Sequence, residues 1–343
     1  MIPPRPHKIR AVRGERPAAR SLLVAHAAEL LTLRGPRVSR TREAAAELGI
    51  IEDGAVYVEG ERIRDVGRTA EVLSRHPRAD ATIDATGKVV LPGLVDAHTH
   101  TIFAGSREHE VEWKAEGLSY ADIAARGGGI LHTVRATREA TQAELAKIGL
   151  DRLLTFVDYG TTTVEVKSGY GLDTADELKL LRAAAEAGRS AGLDVVPTFL
   201  GAHAVPPEYG GRADAYVDAL IQETLPLVAA ERLAQFCDVF VEDGYFTVDQ
   251  ARRLLSTATL KGLRPKLHAD ELSDSGGAAL AAEVRAVSAD HLLHPSDAGV
   301  EAMARAGVIA TLLPATSLAS RMPFADGRRL IAAGVPVALG TDF

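Results

Sequence analysis

A (β/α)8 barrel preceded by a small amino-terminal β-sandwich portion is the fold class that three observations predict. After Gly87 the chain alternates between short apolar runs and helical stretches, with eight such runs. The residues from Gly87 to Phe343 number roughly the 250 that such a barrel needs. No glycine-rich phosphate loop follows the first run, which sets the barrel ahead of a doubly wound open sheet, the alternative for the same rhythm.

Residues 1–20 read as a disordered tail. Arg5, Lys8, Arg10, Arg13, Arg16 and Arg20 face only Glu15, prolines stand at 3, 4, 6 and 17, and the apolar core of a secretory signal is lacking. Residues 21–87 read as a partial β-sandwich domain. Its strands are Leu22–Ala25, Ala55–Val58, Ile63–Val66 after the turn Glu59-Gly60-Glu61, and Ala81–Asp84. The barrel takes 88–343. Its strands are expected at Val89–Val95, Thr161–Val166, Val195–Leu200, Gln235–Val241, Pro265–Leu267, Val287–Ala289, Val308–Leu313 and Val335–Leu339. Helices are expected at Asp176–Ala191, Ala213–Ala230, Thr247–Leu260, Gly276–Val284 and Ser296–Ala306. Thr101 to about Glu139, with Gly127-Gly128-Gly129, reads as a long first loop, the kind of segment that carries function.

Composition narrows the function classes. With 46% hydrophobic and 25% charged residues the chain reads as a soluble globular protein. A net charge of −7 leaves no electrostatic footprint for nucleic acid or an anionic membrane, and no apolar run approaches the roughly 18 residues of a membrane helix. The single cysteine, Cys237, excludes an internal disulfide and suits a reducing cytoplasm. Its place in Phe236-Cys237-Asp238-Val239-Phe240 reads as a buried structural thiol. A small-molecule substrate is the expected partner, and the sequence is compatible with a homo-oligomer.

Active sites of such barrels gather at the carboxyl ends of the strands. The first strand leads into His98-Thr99-His100, where alternation sends both imidazoles to one side; the pair is either half of a metal site or two packing histidines. The third strand ends in His203, the fifth in His268, the sixth in His291 and the eighth in Asp342, so five of eleven histidines stand at strand ends. A hydrogen-bonded core role for His268 and His291, and a turn or cap role for Asp342, are the alternatives. Three imidazoles and one carboxylate, His98, His100, His268 and Asp342, form a nitrogen and oxygen donor set suited to one divalent ion, zinc or iron.

The string Pro92-Gly93-Leu94-Val95-Asp96-Ala97-His98-Thr99-His100, with His268, His291 and Asp342, resembles the amidohydrolase superfamily. Longer strings resemble one family within it, the imidazolonepropionases: Phe103 to Glu108, Gly127 to Leu131, Thr133 to Arg138, Val164-Glu165-Val166-Lys167-Ser168-Gly169-Tyr170-Gly171, Phe199 to Ala204, and Leu267-His268-Ala269-Asp270-Glu271. The match runs from about residue 50 to the end. It implies hydrolysis of the cyclic amide C–N bond of 4-imidazolone-5-propanoate to N-formimidoyl-L-glutamate, a step of histidine degradation.

By the same resemblance Arg107 takes the substrate carboxylate, Tyr170 and His203 complete the pocket, and Glu271 faces the ring. His291 holds the carbonyl oxygen or moves a proton, and Asp342 accepts the proton of the attacking water. Arg135 and Arg138 read as helix-face residues, with reinforcement of the anion site as the alternative. The run Val241-Glu242-Asp243-Gly244 at the end of strand four lacks the bridging lysine of two-metal relatives, which favours one ion, with Glu242 the remaining candidate for a bridge. Lys167 is expected to pair with a neighbouring acid. A purine or pyrimidine deaminase of the same superfamily is the rival reading, because a strand-five histidine followed by an acid three residues on also occurs there. Family members continue beyond the equivalent of Phe343, so the final helix and carboxyl-terminal strands are expected to be missing. A truncated, metal-binding remnant without activity is therefore also carried.

Overall fold

The computed structural model describes residues 20–118, 122–123 and 126–343. The expected disordered tail lies outside them apart from Arg20. The chain divides into two compact units, the smaller running up to Arg37 and over Ala46–Pro92, the larger comprising Val38–Ala45 and Gly93–Phe343.

The smaller unit is built on β1 (Ser21–Leu31), β2 (Ile50–Glu59), β3 (Arg62–Arg68), β4 (Ala81–Asp84) and β5 (Val89–Val90). The order is β3-β2-β1-β4, with β5 also on β1. β1 pairs antiparallel with β2 and parallel with β4 and β5. Gly60, at φ +59°, supplies the left-handed residue that lets β2 turn into β3. Val72, from the helix Thr69–Arg75, packs with Leu23, Ala25 and Ala55. Among the described residues this unit is one mixed sheet with one helix against it, the single sheet expected of a partial β-sandwich.

The larger unit is an eight-stranded parallel sheet taken in chain order. Its strands are β6 (Leu94–Asp96), β7 (Thr161–Lys167), β8 (Asp194–Ala202), β9 (Phe236–Val241), β10 (Arg264–Ala269), β11 (Ser288–His291), β12 (Ile309–Leu312) and β13 (Val337–Leu339). Backbone N–H groups of Ala97, Asp342 and His100 donate to the carbonyls of Leu339, His98 and Phe343 at 3.4, 3.0 and 2.8 Å, so the two outer strands meet and the barrel closes. The apolar run Val89–Val95, expected as one strand, is split. Pro92 has no N–H to continue a ladder, so Val89–Val90 joins the small sheet and Leu94–Asp96 begins the barrel.

Helices start where their caps dictate. Thr141 with Glu144 and Thr247 with Gln250 form reciprocal capping boxes at the helices Gln142–Asp158 and Val248–Leu260. Asp173 caps Thr174–Ala191, which Gly192 ends in the left-handed conformation. The expected loop after the first strand contains two helices among its described residues, at Glu110–Ala115 and Gly129–Glu139. Its glycines permit close packing: a Cβ on Gly128 would stand 2.8 Å from Glu110 Oε1, whose carboxylate instead accepts the Gly129 N–H at 2.7 Å.

Alternation along the strands divides the barrel into two populations. Val164, Val166, Cys237, Val239, Val241, Leu267 and Ala269 belong to the apolar core beneath the helices. The intervening Glu165, Lys167, Asp238, Lys266, His268 and Asp290 are also buried and meet one another across the barrel interior.

Candidate metal centre

The continuation of β6 is held in strand geometry by the Lys167 N–H donating to the Thr99 carbonyl at 3.0 Å, which brings His98 and His100 to the same side. His268, on β10, faces them. The donor atoms of His98, His100 and Asp342 lie within 4.8 Å of one another, and so do those of His98, His268 and His291. Asp342 Oδ1 is 3.2 Å from His98 Nε2 and 3.4 Å from His100 Nε2, while His100 Nε2 and His268 Nε2 are 3.2 Å apart.

The rings are oriented from behind. Asp290 Oδ2 lies 2.7 Å from His98 Nδ1 and Asp238 Oδ1 lies 3.1 Å from His268 Nδ1. A carboxylate can only accept, so each Nδ1 carries the proton and each Nε2 turns its lone pair to the centre. His98 Nε2 is buried without a hydrogen-bond partner, as is His100 Nδ1. Buried nitrogen lone pairs converging on one carboxylate oxygen are a poor arrangement for hydrogen bonding and a good one for a divalent ion, so the residues fit the metal site expected of them.

Protonation follows from burial and charge. Burial and the Lys167 charge oppose a proton on His98, but the nearby carboxylates of Asp290 and Asp342 outweigh them and lift it to about 9, a sign that this point of the barrel favours positive charge. Burial pushes His203 and His291 down to about 3 and keeps both rings neutral. Burial, reinforced by the Asp342 charge, pushes the Glu271 carboxyl up to about 8. Asp342 is disfavoured as an anion by burial, yet His98 and the other imidazoles hold it well below the usual carboxylate range, and Thr316 Oγ1 donates to its Oδ2 at 2.9 Å.

A cavity of about 420 Å³ opens over the cluster. Its wall includes His100, His268 and Asp342 together with Arg107, Tyr170, His203, Glu271 and His291, so of the residues given a metal, catalytic or substrate role in the sequence all but the fully buried His98 line one space. His203 Nδ1 donates to the Gly169 carbonyl at 2.9 Å, and its ring stacks 5.0 Å from that of His100. Glu271 Oε2 stands 3.5 Å from His291 Nε2. His291, Leu292 and Asp342 adopt φ of +76°, +56° and +58°, the left-handed region that L-residues visit less readily.

Other candidates are engaged elsewhere. The Glu242 carboxylate accepts from Leu272 N at 2.8 Å, Ser273 N at 3.3 Å and the Ser273 hydroxyl, so it pins the loop after Glu271 and is not turned to a bridging position. Arg138 donates to the Gly171 carbonyl at 2.7 Å and pairs with Glu208, the helix-face role expected of it. Lys167 does pair with acids, Glu165 and Asp238, each at 2.8 Å. The residues that sequence reasoning passed over are Asp238 and Asp290, which fix the histidine rings. The available signal was an acid inside an apolar strand, plain in Phe236-Cys237-Asp238-Val239-Phe240.

Comparison with known proteins bears on the family and the fold. The family described as "Imidazolonepropionase-like composite domain, bacteria" matches residues 54–79. The imidazolonepropionase of Symbiobacterium thermophilum is 52% identical over 94% of this chain and 76% of its own length. That of Parabacteroides distasonis is 49% identical over 94% of this chain and 77% of its own. Among solved structures, an atrazine chlorohydrolase of Arthrobacter aurescens complexed with zinc aligns with a TM-score of 0.62 at 18% identity, over 94% of this chain and 72% of that one. An adenosine deaminase of Xanthomonas campestris with bound zinc aligns at 0.53 and 19% identity, over 94% and 69%. These two likenesses bear on the fold alone, an eight-stranded barrel with helices around it. Half-identity to relatives over nearly the whole chain goes further, and by it the chain belongs to the imidazolonepropionase family.

Proposed function

We propose that this chain hydrolyses 4-imidazolone-5-propanoate to N-formimidoyl-L-glutamate in the cytoplasm, at the cavity described above. The observation that carries the reading is the joint lining of that one cavity by the nitrogen and oxygen donor cluster and by Arg107, in a chain about half identical to imidazolonepropionases. One divalent ion, zinc or iron, held by His98, His100, His268 and Asp342, would supply the Lewis acidity that makes water nucleophilic near neutral pH.

The chain's own groups do the rest. The Arg107 guanidinium binds the propionate carboxylate and sets the ring over the donor cluster. Tyr170 and His203 close the pocket beside it and hydrogen-bond the substrate. Asp342 Oδ1, with Oδ2 held by Thr316, takes the proton of the attacking water. Neutral His291 hydrogen-bonds the ring carbonyl oxygen as charge develops there. Glu271, protonated at pH 7, delivers a proton to the ring nitrogen whose bond to the carbonyl carbon breaks.

The test is to load the purified chain with zinc or iron and follow the loss of imidazolone propionate absorbance. Turnover abolished in His268→Ala supports the reading. Absence of stoichiometric metal overturns the ligand set, and turnover of guanine or cytosine instead selects the deaminase chemistry.

A further inference from the structure

The interior of the barrel beneath the proposed metal ligands holds a cluster of ions that the chemistry above leaves unused. Lys167 lies at its centre with a side chain that is 0% exposed. Its Nζ is 2.8 Å from Glu165 Oε1, 2.8 Å from Asp238 Oδ2 and 3.7 Å from Asp290 Oδ2. Asp238 uses its other oxygen on His268, accepting both the backbone N–H and the ring Nδ1–H at 3.1 Å. Asp290 is the partner of His98 Nδ1, and it has a second ammonium in Lys266, at 3.1 Å, with Ser288 Oγ donating to its Oδ1 at 2.6 Å. Among the described residues, Lys167 is the one ammonium within ion-pair distance of Asp238.

We propose that Lys167 is a positioning residue for the metal centre, holding the Asp238 carboxylate, and through it the His268 ring, in the orientation that presents Nε2 to the ion. The charge pattern agrees. Lys167 and Lys266 face the carboxylates of Glu165, Asp238 and Asp290, and Asp342 adds one more, so with the imidazoles neutral, as metal ligands must be, these buried groups carry two net negative charges that a divalent cation would neutralise. A buried carboxylate bonded to a ligand imidazole keeps its place only while its second oxygen has a partner. Without Lys167, Asp238 Oδ2 would be a desolvated anion with no counter-ion and would move or take up a proton. His98 would be affected less, because Lys266 and Ser288 still hold Asp290.

The proposal rests on the ligand set given under the proposed function, and the test separates the two. Zinc affinity of metal-stripped protein is measured by competition with a chromophoric chelator, for the unaltered chain, for Lys167→Gln, and for the charge-balanced pair Glu165→Gln with Lys167→Gln. Charge alone and positioning predict opposite signs. Removing a buried cation strengthens the field for a metal ion, and removing a cation and an anion together leaves it unchanged. Loss of positioning weakens zinc binding in both variants, by about tenfold, the lower end of what outer partners of metal ligands contribute.

Binding as tight as or tighter than that of the unaltered chain, in either folded variant, overturns the role of Lys167; an unaltered chain that binds no zinc overturns the ligand set instead. Should neither variant fold, long-range proton–nitrogen spectra of the zinc-loaded unaltered protein decide. They are expected to show His268 protonated at Nδ1 with Nε2 on the zinc; zinc on His268 Nδ1 instead overturns the role of Lys167 and Asp238, and His268 bound to no zinc overturns the ligand set.

Discussion

Glu177 offers the sharpest test of how the pocket is built. Its carboxylate is fully buried at the start of the helix Thr174–Ala191 and accepts the backbone N–H of Gly169 at 3.0 Å and those of Gly171 and Leu172 at 2.9 Å each. That loop carries Tyr170, and its Gly169 carbonyl accepts from His203. Glu177→Ala removes the acceptor from three buried donors at once. An unsatisfied buried donor costs about 1–3 kcal/mol, so even the low end summed over three gives about 3 kcal/mol, a large share of the stability of an ordinary domain. Urea unfolding of the barrel, followed by near-ultraviolet circular dichroism, should show the free energy of unfolding reduced by that amount, as a lower midpoint at unchanged slope. Because Tyr170 and His203 lose their fixed positions, KM for imidazolone propionate should rise by more than kcat falls. A loss of under about 1 kcal/mol with kinetics unchanged would refute the reasoning, since it would mean that the loop folds without its central acceptor.

Further outcomes follow from the same structure. Arg107→Ala should raise KM about 10- to 100-fold with kcat nearly preserved, the effect of losing a charge-assisted carboxylate contact; steady-state kinetics showing an unchanged KM would remove Arg107 from the substrate site. Glu271 is pushed up to about 8, so as a proton donor it is competent below that pH and lost above it; kcat should fall as pH rises through about 8. In Glu271→Gln that limb should vanish and kcat should drop about 10²- to 10⁴-fold, whereas a variant retaining the same alkaline limb would assign it to another group. Cys237 is fully buried and its thiol is pushed up by burial, so an aromatic disulfide reagent should label it only in denaturant; rapid stoichiometric labelling of the native chain would contradict this packing.

Much of the site was legible in the sequence because the barrel converts linear order into position. A residue at the carboxyl end of any strand faces the same opening, so His98, His100, His203, His268, His291 and Asp342 could be gathered from strand ends alone. Helix starts at Thr141 and Thr247 follow from a hydroxyl and an acid or amide three residues apart, a local signal. The first loop was harder. Gly127-Gly128-Gly129 signals a loop when nothing is known of Glu110, nineteen residues before Gly129, whose carboxylate the glycines are small enough to admit. The break at Pro92 was visible as a residue without an N–H, but the run of apolar neighbours outweighed it.

Periodicity, strand-end chemistry and family strings are properties of near neighbours in the chain, and from these the sequence by itself determined the barrel, the candidate donors proposed for the metal and the ring-hydrolase reading. Tertiary structure alone decided which carboxylate orients which imidazole. His98 and Asp290 are 192 residues apart and meet at 2.7 Å, and Lys167 and Asp238 are 71 apart and meet at 2.8 Å. Such pairs form because the closed barrel forces the inward side chains of distant strands into one dry space, where each buried ion must find a counter-charge or a hydrogen bond. No local pattern encodes that requirement, since it arises only when the strands have closed.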